Sequence, residues 1–224
     1  MKRRMTILLA LAMLLCLAAC TDKDDTDNPN PGTIASGTQE TEPPYLGFAP
    51  GSVKGYEYRN ESLGIGYTLK DGGMTYSEKT FRPLLKNYVE AFDSEAAGRL
   101  NDLTLDFYAQ EAGSTGSICV LAENMAEKYG KRMTEDEYAE MILPYITQAR
   151  AADGITDIET SGSACAFAGQ DRSAVDVVFR YNGYEYYEKM ILIAVEDHMV
   201  MVLAQSNDRE ETDGMLSGFY ALEK

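Results

Sequence analysis

The chain has 224 residues, with 20 Lys and Arg against 36 Asp and Glu, a formal net charge of −16 and 45% hydrophobic side chains. So large an acidic excess repels phosphate backbones and anionic headgroups, which excludes nucleic acid as a partner and leaves cations and basic surfaces as favoured ones. One histidine and four scattered cysteines do not make a zinc set, so no metal or cofactor is expected.

Lys2, Arg3 and Arg4 precede an apolar run from Ile7 to Leu17, the length of a signal-peptide core and too short to span a bilayer. The run ends in Leu17-Ala18-Ala19-Cys20, which resembles the lipobox of bacterial lipoprotein precursors. That resemblance implies removal of residues 1–19 and a diacylglyceryl group on Cys20. Each buried methylene contributes about 0.8 kcal/mol, and stable anchoring takes two chains, which a diacylglyceryl group supplies. The expected location is the outer face of the cell membrane, with the membrane itself reached only through the lipid. Loss of residues 1–19 takes Lys and Arg from 20 to 17 against 36 acids, a net charge of −19.

Residues 21–44, TDKDDTDNPNPGTIASGTQETEPP, contain no aromatic residue and four prolines. Such a segment cannot bury enough surface to offset ordering, so residues 20–51 read as a lipidated cysteine and a disordered tether reaching about 30 Å. Asp22, Asp24, Asp25 and Asp27 lack the turn glycine and closing glutamate of a calcium loop.

Residues 52–224 suffice for one core. Strands are expected at YEYRN, LGIGYTLK, LTLDFYAQ, SICVLAE, DIETSG and SACAFA. A helix follows from Phe81, Leu84, Leu85, Tyr88 and Phe92, which recur at three and four. Thr134 and Glu137 form a capping box for a second helix whose buried face carries Tyr138, Met141, Ile142, Tyr145 and Ile146, with a kink at Pro144. Asn182-Gly183 offers the positive φ angles of a type I′ hairpin turn, which sets Tyr181 opposite Tyr184, Arg180 opposite Glu185 and Asp176 opposite Lys189. That register gathers Val175, Val177, Phe179, Tyr186 and Met190 on the other face, with Glu188 the one misfit. Asp197-His198 turns the chain into MVMVLAQS, and a third helix runs from about Asp208 to Tyr220 with Met215, Leu216 and Phe219 inward. The fold class is α+β, an open antiparallel sheet flanked by helices.

The segments YRNESLGIGYTLKDG (Tyr58 to Gly72), TEDEYAEMI and YEYYEKMILIAVEDHMVMVLAQS, in this order of strands and helices, resemble the PsbP-like fold of small bacterial lipoproteins. Met74 stands where relatives often place an aromatic residue. The resemblance implies an α/β/α sandwich over about Gly55 to Leu222 and a role in docking and assembly, and it hands over no catalytic residue.

The residues themselves offer little chemistry. His198, the single histidine, falls at a turn without a partnered nucleophile. Cys119 and Cys165 both lie in strand-like segments, and a disulfide and two separate buried thiols fit the pattern equally. Gly64-Ile65-Gly66 lacks the remainder of any phosphate-binding motif, and Asn60-Glu61-Ser62 spells a glycosylation sequon. Tyr181, Tyr184 and Tyr187 are the candidate interaction surface, Tyr187 on the charged face of its strand, while Tyr186 suits the core. The expectation is a non-catalytic binding or assembly module that docks a protein or peptide through a sheet face or edge. The alternatives are an envelope enzyme using carboxylates in a cleft and a cation-binding surface protein. Replacement Cys20→Ser is expected to abolish incorporation of labelled palmitate and to leave the chain at precursor mass on a denaturing gel.

Overall fold

In a computed structural model of the chain, the structure describes residues 47–76, 78–79, 81–83, 103–152 and 155–223. Cys20, the apolar leader, most of the tether and the stripe residues Leu84, Leu85, Tyr88 and Phe92 lie outside the described residues.

The elements in chain order are β1 (Ser52–Lys54), β2 (Glu57–Asn60), β3 (Ile65–Thr68), β4 (Met74–Thr75), β5 (Leu103–Gln110), β6 (Ser117–Asn124), α1 (Met125–Tyr129), α2 (Glu135–Ala152), β7 (Thr156–Phe167), β8 (Gln170–Tyr181), β9 (Tyr184–Val195), β10 (His198–Ser206), α3 (Arg209–Ser217) and β11 (Phe219–Ala221). They form an α+β fold of two open antiparallel sheets, one of seven strands in the order β4-β5-β6-β10-β9-β8-β7 and one of four in the order β1-β2-β3-β11.

Alternate residues of the large sheet feed two separate cores. Leu121, Met199, Met201, Leu203, Val175, Val177 and Phe179 face a core closed by Tyr138, Ala139, Ile142 and Ile146 of α2. Val120, Ala122, Val200, Val202, Ile191 and Ile193 face the other way, against Tyr58, Ile65 and Tyr67 of the small sheet and Met215 and Leu216 of α3. The expected pair of helical layers is thus half right. One covering layer is α2, and the other is largely β-structure.

The β8–β9 hairpin has the register that the sequence implies, with Tyr181 opposite Tyr184, Arg180 opposite Glu185 and Asp176 opposite Lys189. Asn182 and Gly183 take φ of 50° and 81°, as a type I′ turn requires. Two boundaries differ from expectation. The turn after β9 uses Glu196, at φ 51°, and Asp197, so that His198 is the first residue of β10 and pairs with Val195 and Asn124. The third helix stops at Ser217, and Phe219–Ala221 pairs with β3 as β11 instead of continuing the helix. Gly218 makes that change of direction against Tyr67, whose ring carbon would lie 2.8 Å from any Cβ there. In β3 itself, a Cβ on Gly66 would sit 2.5 Å from the Tyr220 ring, so the Gly64-Ile65-Gly66 pattern serves packing. The helix α2 runs on through Pro144 to Ala152.

Buried and half-buried carboxylates tie the layers together. Asp106, at a register shift in β5, accepts from the Gly51 N–H at 2.6 Å, the Tyr58 hydroxyl at 2.6 Å and Asn60 Nδ2 at 2.7 Å. Glu111 accepts from the Tyr67 hydroxyl and the Lys70 N–H. On the helical side Glu123, fully buried, is paired with Lys128 and accepts from the hydroxyls of Tyr129 at 2.9 Å and Tyr138 at 2.8 Å. Each carboxylate is satisfied by several donors, which is the condition under which a buried charge is tolerated.

The capping box closes as expected: the Thr134 N–H donates to Glu137 Oε2 at 2.8 Å and the Glu137 N–H to Thr134 Oγ1 at 3.2 Å. The Thr134 backbone N–H, and after it the hydroxyl, hold the Glu137 carboxyl below its ordinary range. A depressed carboxyl stabilises the fold above its unfolded value, and that contribution is lost as pH falls through the folded one. Thr134→Ala is expected to cost about 1 kcal/mol in urea unfolding at neutral pH. Glu137→Gln is expected to lower stability at neutral pH only, with the deficit gone once pH has fallen through the lowered Glu137 value.

Candidate functional site

The strand β7 is the outer member of the large sheet and is twelve residues long. DIETSG and SACAFA, read in the sequence as two strands, are one: Gly162 passes through mid-strand, opposite Val175. Asp157, Glu159, Ser161, Ser163 and Cys165 share one face, while Ile158, Thr160, Gly162, Ala164 and Ala166 share the other. Every residue from Ser161 to Ala164 is exposed. The opposite end of the sheet is β4, with two residues, and the outer strands of the small sheet are β1 and β11, with three residues each.

The ladder between β8 and β9 ends at Ala174 and Ile191, although both strands continue. A carboxylate enters where they part. Glu135, the first residue of α2, accepts from the Ser173 N–H at 3.2 Å, the Ala194 N–H at 3.3 Å and Arg172 Nη1 at 2.6 Å, and Asp136 accepts from the Ser173 hydroxyl at 2.5 Å. The start of α2 is thereby pinned to backbone groups that the diverging strands leave open.

On the charged face, β7, β8, β9 and the start of α3 enclose an open depression of about 460 Å³ lined by Asp157, Glu159, Val178, Arg180, Glu185, Tyr187 and Arg209. Arg180 lies 3.6 Å from Glu185 and 3.9 Å from Asp157, while Lys189 bridges Asp213 at 2.7 Å and Asp176 at 3.5 Å. Burial lowers the Lys189 pKa, but Asp213 and Asp176 outweigh it and hold the ammonium above its ordinary range. The Arg209 guanidinium rests 4.7 Å over the Tyr187 ring. No ion pair engages Glu159 among the described residues.

The three candidate tyrosines do not make one patch. Tyr184 is 54% exposed, Tyr181 packs against the helical core on the same face, and Tyr187 lies on the opposite face, its hydroxyl donating to Glu185. Tyr186 is in the core, stacked with Phe179 at 5.5 Å. No disulfide links Cys119 and Cys165, and both thiols are free. Three strands separate β6 from β7, and the two side chains serve opposite faces of the sheet, Cys119 in the helical core and Cys165 against the other. Burial, with the Asp106 charge adding to it, pushes the Cys119 thiol well up, and burial also raises Cys165, so neither is an activated thiolate. His198 tilts against Phe48 at 5.5 Å, and its Nδ1 is buried without a hydrogen-bond partner. Asn60 of the sequon is fully buried and spends its amide on Asp106 and the Ala49 carbonyl, so it is no glycan acceptor. No group of three or more metal-ligating side chains occurs among the described residues. No helix among them is long and apolar enough to cross a membrane.

No family model and no curated protein matches the chain. Among solved structures it is similar to the crystal structure of LpqN involved in cell envelope biogenesis of Mycobacterium tuberculosis, at 11% identity and a TM-score of 0.36, over 71% of this chain and 83% of that one. A likeness of that size does not establish a common fold.

The burial of the two thiols has a direct readout. Iodoacetamide is expected to label Cys165 slowly in the native chain and Cys119 only after denaturation, and mild oxidation is expected to produce no intramolecular Cys119–Cys165 species by mass spectrometry.

Proposed function

We propose that the chain is a lipid-anchored extracytoplasmic binding module, non-catalytic, that docks a polypeptide in extended conformation along the outer edge of β7. The anchor rests on Leu17 to Cys20 and its resemblance to a lipobox. The docking rests on one observation: β7 is the longest outer strand among the described residues, and from Ser161 to Phe167 it carries no bulge, charge or proline.

Open edges are templates for another strand, and proteins that do not use them shorten them, bulge them, or place proline and lysine on them. The sequence of β7, TDIETSGSACAF, has neither proline nor lysine, and its one register shift lies at the end, between Thr156 and Glu159. From Glu159 to Phe167 the ladder to β8 is continuous, so the outward backbone groups are evenly presented over about 30 Å. Main-chain hydrogen bonds supply affinity in this mode of recognition, and side chains on alternate positions supply selectivity. The acidic surface keeps the module away from headgroups while it does so.

Eleven-residue peptides selected from a random library against the full chain in detergent micelles are expected to slow amide exchange in β7 above all other elements. Selected binders that protect another surface and leave Thr156–Phe167 unchanged would sink the reading.

A further inference from the structure

We infer that the strand taken up by β7 is basic on the face that meets Glu159 and carries a bulky apolar residue on the other face, over Gly162. This rests on the docking reading above and adds the chemistry of the partner.

The edge is sorted by face. On one side its charges, Asp157 and Glu159, are both acidic, followed by the small polar residues Ser161 and Ser163. Asp157 has Arg180 nearby at 3.9 Å, whereas no ion pair engages Glu159 among the described residues. Glu159 is exposed and stands on the rim of the depression that Val178 and Tyr187 help to line. A lysine or arginine on an added strand, opposite Glu159, would place its charge on that carboxylate and its methylene stem over β7 towards this apolar surface.

On the other side α2 reaches β7 at Thr160, through Thr147, but leaves it open at Gly162. A Cβ built on Gly162 meets nothing within 4 Å, and its same-face neighbours are Thr160 and Ala164. Glycine within a strand gives up packing and conformational entropy, and it commonly marks the place where another chain comes close. An aromatic ring laid across a glycine from the neighbouring strand recovers the contact that the glycine lacks. The positions opposite Glu159 and Gly162 are three apart, so they fall on opposite faces of the added strand. The partner is therefore an extended segment with a basic and a bulky apolar residue three positions apart. A second copy of the chain fits less well, because its own β7 brings Asp157 and Glu159 as its only charges, and its one ring, Phe167, is buried against Phe219.

The probe is a blocked eleven-residue peptide of alternating threonine and valine, with one phenylalanine and one lysine three residues apart, made in both chain orders and titrated calorimetrically into the full chain in micelles. At least one order is expected to bind. Exchange of the lysine for glutamate is expected to weaken binding about tenfold at low salt, and Glu159→Gln to weaken the lysine peptide about threefold. Gly162→Val, for which the structure leaves space, is expected to weaken the phenylalanine peptide and to leave an alanine version unchanged. Equal binding of the lysine and glutamate peptides, or no binding of either at millimolar concentration, overturns the inference and leaves strand docking standing. Undiminished binding of the peptide N-methylated at every residue, which can donate no main-chain hydrogen bond to the edge, overturns strand docking itself. Mixed β7 pairing between copies would instead appear as dimer in sedimentation without peptide, and would also overturn the inference.

Discussion

Burial of β10 on both faces governs the architecture. From Met199 to Ser206 every side chain is buried, the odd-numbered ones from Met199 to Leu203 towards α2 and the even-numbered ones from Val200 to Ala204 towards the small sheet. A strand of this kind needs a layer above and a layer below. The layers are unlike in kind, but each is fixed to the central sheet in the same way, by a carboxylate that gathers donors at the junction. Asp106 and Glu111 hold the small sheet, and Glu123 holds α1 and α2. Apolar burial supplies the drive for stacking, and these polar clusters set where each layer sits, since a misplaced layer would strand a buried charge.

Local chemistry was legible in the sequence down to single residues. The β8–β9 register follows from one Asn-Gly turn and the charge pairs on either side, and the start of α2 from Thr134 and Glu137. What was illegible depended on distant parts of the chain. Nothing local in Phe219–Ala221 distinguishes the end of a helix from a strand; the decision is made by β3, far back in the chain, which offers a ladder there. Similarly, Cys119 and Cys165 look alike in their strands, and only the strand order separates them. DIETSG and SACAFA read as two separate strands, with serine and glycine at their junction, yet β8 holds Thr160 to Ala164 straight as the middle of the one strand β7. The same small residues that hid the strand are those that leave its outer side open. Glu135 carried a faint signal, an acid immediately after a cap, where the helix dipole alone would account for it; the strand divergence it fills could not be foreseen.

The two ends of the large sheet are managed differently. At one end the sheet stops at β4, a two-residue strand that is too short to template anything. At the other, α2 lies against β7 and β8 from one side, with Thr147 close to Thr160 at 3.3 Å, and supports the ribbon without capping its edge. The tip of the ribbon is strapped down as well, because Phe167 packs on Phe219 at 5.1 Å. A rigidly held open edge loses little further freedom when a strand is added, which is the circumstance that favours affinity from main-chain bonds.

The pairing of β6 with β10 has a temporal side. It joins segments roughly 80 positions apart in the chain, and the intervening β7, β8 and β9 form from near neighbours. Hairpins of the latter sort close in microseconds, whereas topologies dominated by remote contacts assemble on the order of milliseconds to seconds. The outer ribbon can thus take shape before the middle of the sheet is sealed, so that a nascent molecule exposes its longest outer strand while its interior is still unfinished.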